Sequence, residues 1–184
     1  MQRYITGIKG KRVYYSEVTN SNQFRNALSE AKGKIDEDAR WRVDVHDAND
    51  YDNDKKFIAD KGNGVVAVTP DGDIISVAST KNGNVRGSDL LRIAVANGGR
   101  KLDSFDGNFK FYVDNGFTPV SWTKFNPKYA PEGWSASKGH KPENVVFFKY
   151  TGKNTAKITY DEFKNRVKPS RTYEAAMRKR DSSM

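Results

Sequence analysis

Two apolar runs around a turn dominate the middle of the chain: Gly64-Val65-Val66-Ala67-Val68 and Ile74-Ile75-Ser76-Val77-Ala78-Ser79, with Thr69-Pro70-Asp71-Gly72-Asp73 between them. β-Branched residues suit a pleated backbone and Pro-Asp-Gly suits a tight reversal, so the pattern predicts a β-hairpin. Upstream, Val13, Tyr14, Tyr15 and Val18 predict a strand over Arg12 to Thr19. Asn20-Ser21-Asn22 then offers capping side chains to a helix whose apolar face is Phe24, Ala27, Leu28 and Ala31. The stretch from there to Asp54 has no clear period. It reads as loop or short helix, apart from a short extended piece at Trp41-Arg42-Val43-Asp44-Val45.

After the hairpin, a loop from Thr80 to Gly87 leads into Leu90, Leu91, Ile93, Ala94 and Val95, which share one helical face. Ser88 and Asp89 suit the start of that helix and Gly98-Gly99 its end. Arg100 to Phe105 predicts a strand, Asn108 to Asn115 a short helix stopped by Gly116, and Phe117 to Phe125 a strand with Val120 and Trp122 inward. A connection containing Pro and Gly, from Pro127 to Pro142, precedes a last strand at Asn144 to Tyr150. Strands alternating with helices make this an α/β chain.

Composition narrows the picture. The 184 residues suit one domain, and ten Phe, nine Tyr and three Trp supply core material despite a charged fraction of 30%. With no cysteine, disulfides, thiolate metal sites and a cysteine nucleophile are excluded. No basic-then-apolar leader and no apolar run near the ~20 residues of a membrane span occur, so the expected location is cytoplasmic, without membrane attachment. The small, cysteine-free, highly charged chain has the style of accessory proteins from bacteria or their phages.

The net charge of +9 is unevenly spread. Asp36 to Asp54 holds eight acids against Arg40 and Arg42, whereas the residues after Tyr150 hold nine Lys/Arg against four acids. The basic tail (Lys153, Lys157, Lys164, Arg166, Lys168, Arg171, Arg178, Lys179, Arg180) is interleaved with Tyr160, Phe163 and Tyr173, a pattern open to nucleic acid. A solvated helical or frayed terminus accounts for it more simply.

The arrangement with chemical content is a strand feeding the loop Lys81-Asn82-Gly83-Asn84-Val85-Arg86-Gly87-Ser88 into a helix N-terminus. Unpaired N–H groups and the positive end of the helix dipole there can hold a phosphate. Gly83 and Gly87 allow close backbone approach, and Arg86 and Lys81 add charge. Further on, Phe111-Tyr112-Val113-Asp114-Asn115-Gly116-Phe117 closes a short helix onto a strand, with a Tyr near the helix end.

Taken together, Ile74 to Ser79, Arg86-Gly87-Ser88-Asp89-Leu90-Leu91, Lys101-Leu102-Asp103 and Phe111-Tyr112…Gly116-Phe117 resemble the core of the GCN5-related N-acetyltransferase (GNAT) superfamily. The resemblance covers about residues 64–150. It implies a mixed, mainly antiparallel central sheet flanked by helices, forming one domain over residues 1–150 with its cofactor-handling half at about 64–150 and a basic extension at 151–184. It also implies acetyl-CoA as cofactor and acetyl transfer to an amine of a protein or small molecule. By the same resemblance, the loop and helix (Gly83, Arg86, Gly87, Ser88) hold the CoA pyrophosphate, Val77, Ala78 and Ser79 pair with pantetheine, and Tyr112 protonates the departing thiolate. Of the family's loop pattern only Gly87 matches: Asn82 stands at the basic position and Val85 at the central glycine, where a Val is expected to force strain or another loop path. Phe105 occupies the family's Asn position, leaving Asn108 as its substitute.

A base for the acceptor amine is not singled out. His46, His140, Glu17, Asp44 and Asp103 are the candidates, and a His beside acids is more often a surface residue. Asp50-x-Asp52-x-Asp54 lacks the Gly and Glu of a calcium loop, and the Gly83 to Gly87 loop lacks the Gly-Lys-Ser/Thr ending of a triphosphate loop. The aromatic stretch Trp122 to Trp134 suits a peptide or base surface, though cover for a sheet edge is the commoner role. A binding module on the same fold that has lost catalysis, and a nucleic-acid-associated protein using the basic tail, are the alternatives to the enzyme.

Overall fold

The strand at Arg12–Val18 (β2) pairs antiparallel with Gln2–Thr6 (β1) on one side and Lys55–Ala59 (β3) on the other. The hairpin Gly64–Val68 (β4) and Ile74–Ser79 (β5) continues the sheet, giving the order β1-β2-β3-β4-β5. This is a computed structural model, and it describes residues 2–152 and 157–184. Contacts divide the chain into two compact units, Met1–Gly99 and Arg100–Met184. Lys153 of the basic tail lies outside the described residues.

In the first unit the helix Ser21–Gly33 (α1) starts at Asn20, whose side chain accepts from the Gln23 N–H at 3.0 Å. Its apolar face, Phe24, Leu28 and Ala31, is buried with Tyr51, Val65, Ala67 and Ala78. The acidic segment supplies Tyr51 to this core and contains a one-turn helix, Glu37–Arg40 (α2), and a 3-10 turn at Ala48–Tyr51. The extended piece expected at Trp41 to Val45 is not a strand: Arg42 and Val43 close turns onto Ala39 O and Arg40 O, and Trp41 is buried.

Two strands escape the sequence pattern. β1 is an exposed edge strand, so it lacks the one-sided apolar face that marks a half-buried strand. β3 carries Lys56, buried because its ammonium donates to Tyr51 O at 2.8 Å and Asp54 O at 2.9 Å. A lysine satisfied this way is tolerated inside a sheet but reads as a surface residue.

The helix Gly87–Ala96 (α3) packs on β4 and β5 through Leu90, Leu91, Ile93 and Ala94. It ends as the two glycines predict: Gly98 has φ +99°, and the Gly99 N–H returns to Ala94 O at 2.8 Å.

The second unit is a three-stranded antiparallel sheet, order β6-β8-β7, made by Lys101–Phe105 (β6), Phe117–Thr123 (β7) and Val145–Tyr150 (β8). The short helix Phe109–Asp114 (α4) precedes β7. In β7 the inward set is Phe117, Pro119 and Ser121. Val120, expected inward, is half-buried, because it is the extra residue of a bulge between the Pro119–Phe148 and Ser121–Phe147 pairs. Trp122 is buried as expected, and its indole N–H donates to Val167 O at 2.7 Å.

The tail is neither frayed nor a simple solvated helix. Helices Tyr160–Arg166 (α5) and Tyr173–Ser182 (α6) are capped by Thr159 and Thr172, and α6 packs on β7 and β8. Ala176 and Arg180 are fully buried there, and Ser121 Oγ donates to Ala176 O at 2.6 Å. Among the described residues every strand pairing is antiparallel save an isolated bridge between Thr123 and Ser170, so the mixed, mainly antiparallel architecture flanked by helices is the observed one.

Candidate functional site

β5 lies at an edge of the five-stranded sheet, so one row of its backbone N–H and C=O groups meets no further strand of that sheet. Val77, Ala78 and Ser79 form its C-terminal end, and the loop to α3 follows at once. The strand, the loop and the helix N-terminus are thus contiguous within the first unit.

The loop is fastened to the body of that unit by polar contacts. Asp60 Oδ2 accepts from the Asn84 N–H at 2.6 Å, Asn63 holds Thr80 through both backbone and side chain, and Lys11 donates to Asn84 O. Gly83 is required here, because a Cβ would run into the side chains of Asp60 and Asn63. Val85 takes no left-handed angle. It is a fully buried residue against Gly64 and Leu90, and the loop's one left-handed non-glycine residue is Lys81, at φ +63°. The loop therefore follows another path than the glycine pattern prescribes, with Val85 as its apolar anchor.

At the helix start, Arg86 is the N-cap residue, and Ser88 and Asp89 lie in the first turn, as expected. Asp89 sits in the first turn, buried, with Oδ2 accepting from the Arg86 N–H at 2.8 Å and lying 3.3 Å from Lys11 Nζ. Its negative charge at the helix N-terminus is thus offset by both the dipole and Lys11. The exposed Arg86 guanidinium folds back on Gly83 O at 2.6 Å and Val85 O at 3.1 Å. Among the described residues, the Gly87 and Ser88 N–H groups have no protein acceptor.

Tyr112 and Asn108 belong to the second unit. Tyr112 is on α4, packed against Phe111, Phe117 and Phe148. Burial raises its hydroxyl to about 12, partly offset by a hydrogen bond with Ser104, with Asp103 adding to the rise. Asn108 is half-buried at the end of the 3-10 turn before α4.

The candidates for a base are scattered. Glu17 pairs with Arg3 at 3.4 Å, and Asp44 is exposed. His46 is an exposed residue whose N–H donates to the Tyr51 hydroxyl at 3.2 Å, and His140 Nδ1 accepts from the Ser135 N–H at 3.0 Å.

One group the sequence did not single out stands at the middle of β5. The register shifts between Val65 and Ala67 of β4, placing a bulge at Ser76, which adopts φ +55°. Its Oγ lies 2.7 Å from the buried Tyr51 hydroxyl and donates to Asp44 O at 3.3 Å. Burial raises the Tyr51 hydroxyl, partly offset by its hydrogen bonds with the Ser76 hydroxyl and the His46 backbone N–H. The signal in the sequence was a serine interrupting the apolar positions Ile74, Ile75, Val77 and Ala78.

No known family model matches the chain, and no curated protein sequence does either. Solved structures do match. An IAA acetyltransferase from Bacillus cereus is 16% identical, with 75% of this chain and 98% of that one covered, at a TM-score of 0.53. The GNAT domain of S. lividans PAT is 12% identical over 81% of this chain and 96% of that one, at 0.46. A Bacillus subtilis acetyltransferase in complex with CoA is 14% identical over 75% and 96%, at 0.47. The chain has the acetyltransferase fold that its sequence resembles.

Proposed function

We propose that this divergent chain with the GNAT fold is an N-acyltransferase, moving the acetyl group of acetyl-CoA to an amine. The observation that carries this reading is the α3 N-terminus. Across the loop from an edge strand, Gly87 and Ser88 hold out two N–H groups with no protein acceptor among the described residues, Arg86 is exposed beside them, and the Asp89 charge is neutralised by Lys11. Such a terminus suits a pyrophosphate, and the open edge at Val77, Ala78 and Ser79 suits the amide groups of pantetheine.

In the proposed reaction the amine nitrogen attacks the thioester carbon, the carbon–nitrogen bond forms and the carbon–sulfur bond breaks. The thiolate takes a proton from the Tyr112 hydroxyl, and the nitrogen loses one to solvent. An acid must carry its proton at working pH. With its hydroxyl raised to about 12, Tyr112 is protonated throughout the neutral range. Asn108, at the start of the helix bearing Tyr112, is assigned to the cofactor side. The acidic segment Asp36 to Asp54 favours a cationic amine as acceptor.

Titration calorimetry with acetyl-CoA, combined with an assay of CoA thiol release, tests this reading. Binding is expected, with release that falls about a hundredfold in Tyr112→Phe, the lower range for losing a general acid. No binding at millimolar cofactor refutes the proposal. Binding with no release from any amine places the chain among binding modules on this fold.

A further inference from the structure

Ser76 holds an L-residue in the left-handed region inside a strand, a strained arrangement that persists only where its surroundings enforce it. Glycine relieves such strain, so a serine kept there points to use of its hydroxyl. The hydrogen bonds around that hydroxyl define what it can still do. Its one proton is directed at Asp44 O. With that proton on Asp44 O, Tyr51 is the donor in the 2.7 Å contact, and its own oxygen accepts from the His46 N–H. That leaves Ser76 Oγ with one lone pair engaged and one open, on a residue that is only half-buried. Val77 follows directly, at the start of the backbone assigned above to pantetheine.

We propose that Ser76 orients the acceptor: its Oγ, fixed by Tyr51 and Asp44, accepts a hydrogen bond from the N–H of a neutral primary amine and so aims the nitrogen lone pair at the acyl carbon. This rests on the acyltransferase reading and adds the residue that reads the amine. Ser76 takes no proton, because its neighbour Tyr51 is a neutral phenol and the pair has no basic member. The proton lost by nitrogen as the carbon–nitrogen bond forms passes to water, while the thiolate is protonated as described above. The exposed Asp44, Asp47 and Asp50 on the segment that supplies Tyr51 suit an amine with further positive charge, which makes spermidine the probe.

The test is steady-state CoA release from acetyl-CoA with spermidine, run on wild type, Ser76→Gly and Tyr51→Phe, with melting temperatures alongside. Ser76→Gly should raise the KM for spermidine about tenfold, the worth of one hydrogen bond of about 1.4 kcal/mol. The KM for acetyl-CoA should stay unchanged, since the backbone that pairs with it is intact. Tyr51→Phe should raise the spermidine KM less, because the Ser76 hydroxyl remains but is held on one side only. An unchanged spermidine KM in folded Ser76→Gly overturns the proposal, as does an equal rise in both KM values, which marks a purely structural role. Wild type that binds acetyl-CoA but releases no CoA with spermidine also overturns the assignment while leaving cofactor binding standing. Wild type that binds no acetyl-CoA brings down the acyltransferase reading itself.

Discussion

Replacing Arg180 by methionine tests how the basic C-terminal helix is held. Arg180 is 1% exposed; Nη1 donates to Leu102 O at 3.0 Å, Nε to Asp181 Oδ1 at 3.0 Å, and the guanidinium lies 5.4 Å from the Phe147 ring centre. Methionine keeps much of the stem and removes the charge. The lost charge-assisted bond to Leu102 O is worth about 1.5–3 kcal/mol, and a desolvated cation over an aromatic ring adds about 1 kcal/mol. Asp181 loses little, being 39% exposed and still paired with Lys101 at 3.2 Å. Against these stands the relief from burying a guanidinium, so the net destabilisation is about 2 kcal/mol. For a chain of this size that lowers the melting temperature by about 4–8 °C, read by far-UV circular dichroism. A change below about 1 °C, or a rise, would refute the inference that Arg180 locks α6 onto β6 and β8.

Asp106 accepts from the Tyr160 hydroxyl at 2.7 Å and the Asn144 N–H at 3.1 Å, and burial, outweighing those bonds, raises its carboxyl above the ordinary value. The folded state therefore holds this proton more tightly than the unfolded chain, so the group lowers stability as pH rises from the ordinary carboxylate range through the raised value. Asp106→Asn keeps an acceptor oxygen; it should flatten that slope and melt no lower than wild type at neutral pH, and a lower melting point there contradicts the account. Gly64→Ala places a Cβ 2.9 Å from Val85 Cγ1 and 3.0 Å from Leu90 Cδ2, which should cost about 1–3 kcal/mol in urea unfolding. Val85→Ala in the same chain should recover part of it, and a neutral Gly64→Ala would show that Val85 does not anchor the loop.

The hairpin was legible because β-branched runs and Pro-Asp-Gly agree, and α3 because its apolar spacing and its two terminal glycines agree. β3 was hidden by Lys56, whose ammonium folds back on the Tyr51 and Asp54 carbonyls just ahead of the strand, a contact that composition does not signal. The parity of β7 was misjudged because a bulge at Val120 has no composition signal, and Ser121 is inward only because Ala176 O receives its proton. Arg180 carried the same ambiguity: in a run of Arg178, Lys179 and Arg180, nothing local distinguishes the buried cation from the exposed ones. At the site, the Gly87 and Ser88 terminus followed from strand, loop and helix order. The path of the loop did not, since Val85 became a core residue through contact with Gly64, and the Tyr51–Ser76 pair joins segments too far apart in sequence to read from either.

The most direct measurement is a crystal structure with CoA bound. The account predicts pyrophosphate oxygens within hydrogen-bond distance of the Gly87 and Ser88 N–H groups, Arg86 turned from Gly83 O toward them, and pantetheine along Val77, Ala78 and Ser79. CoA bound elsewhere, or crystals that take up none from millimolar cofactor, would contradict it.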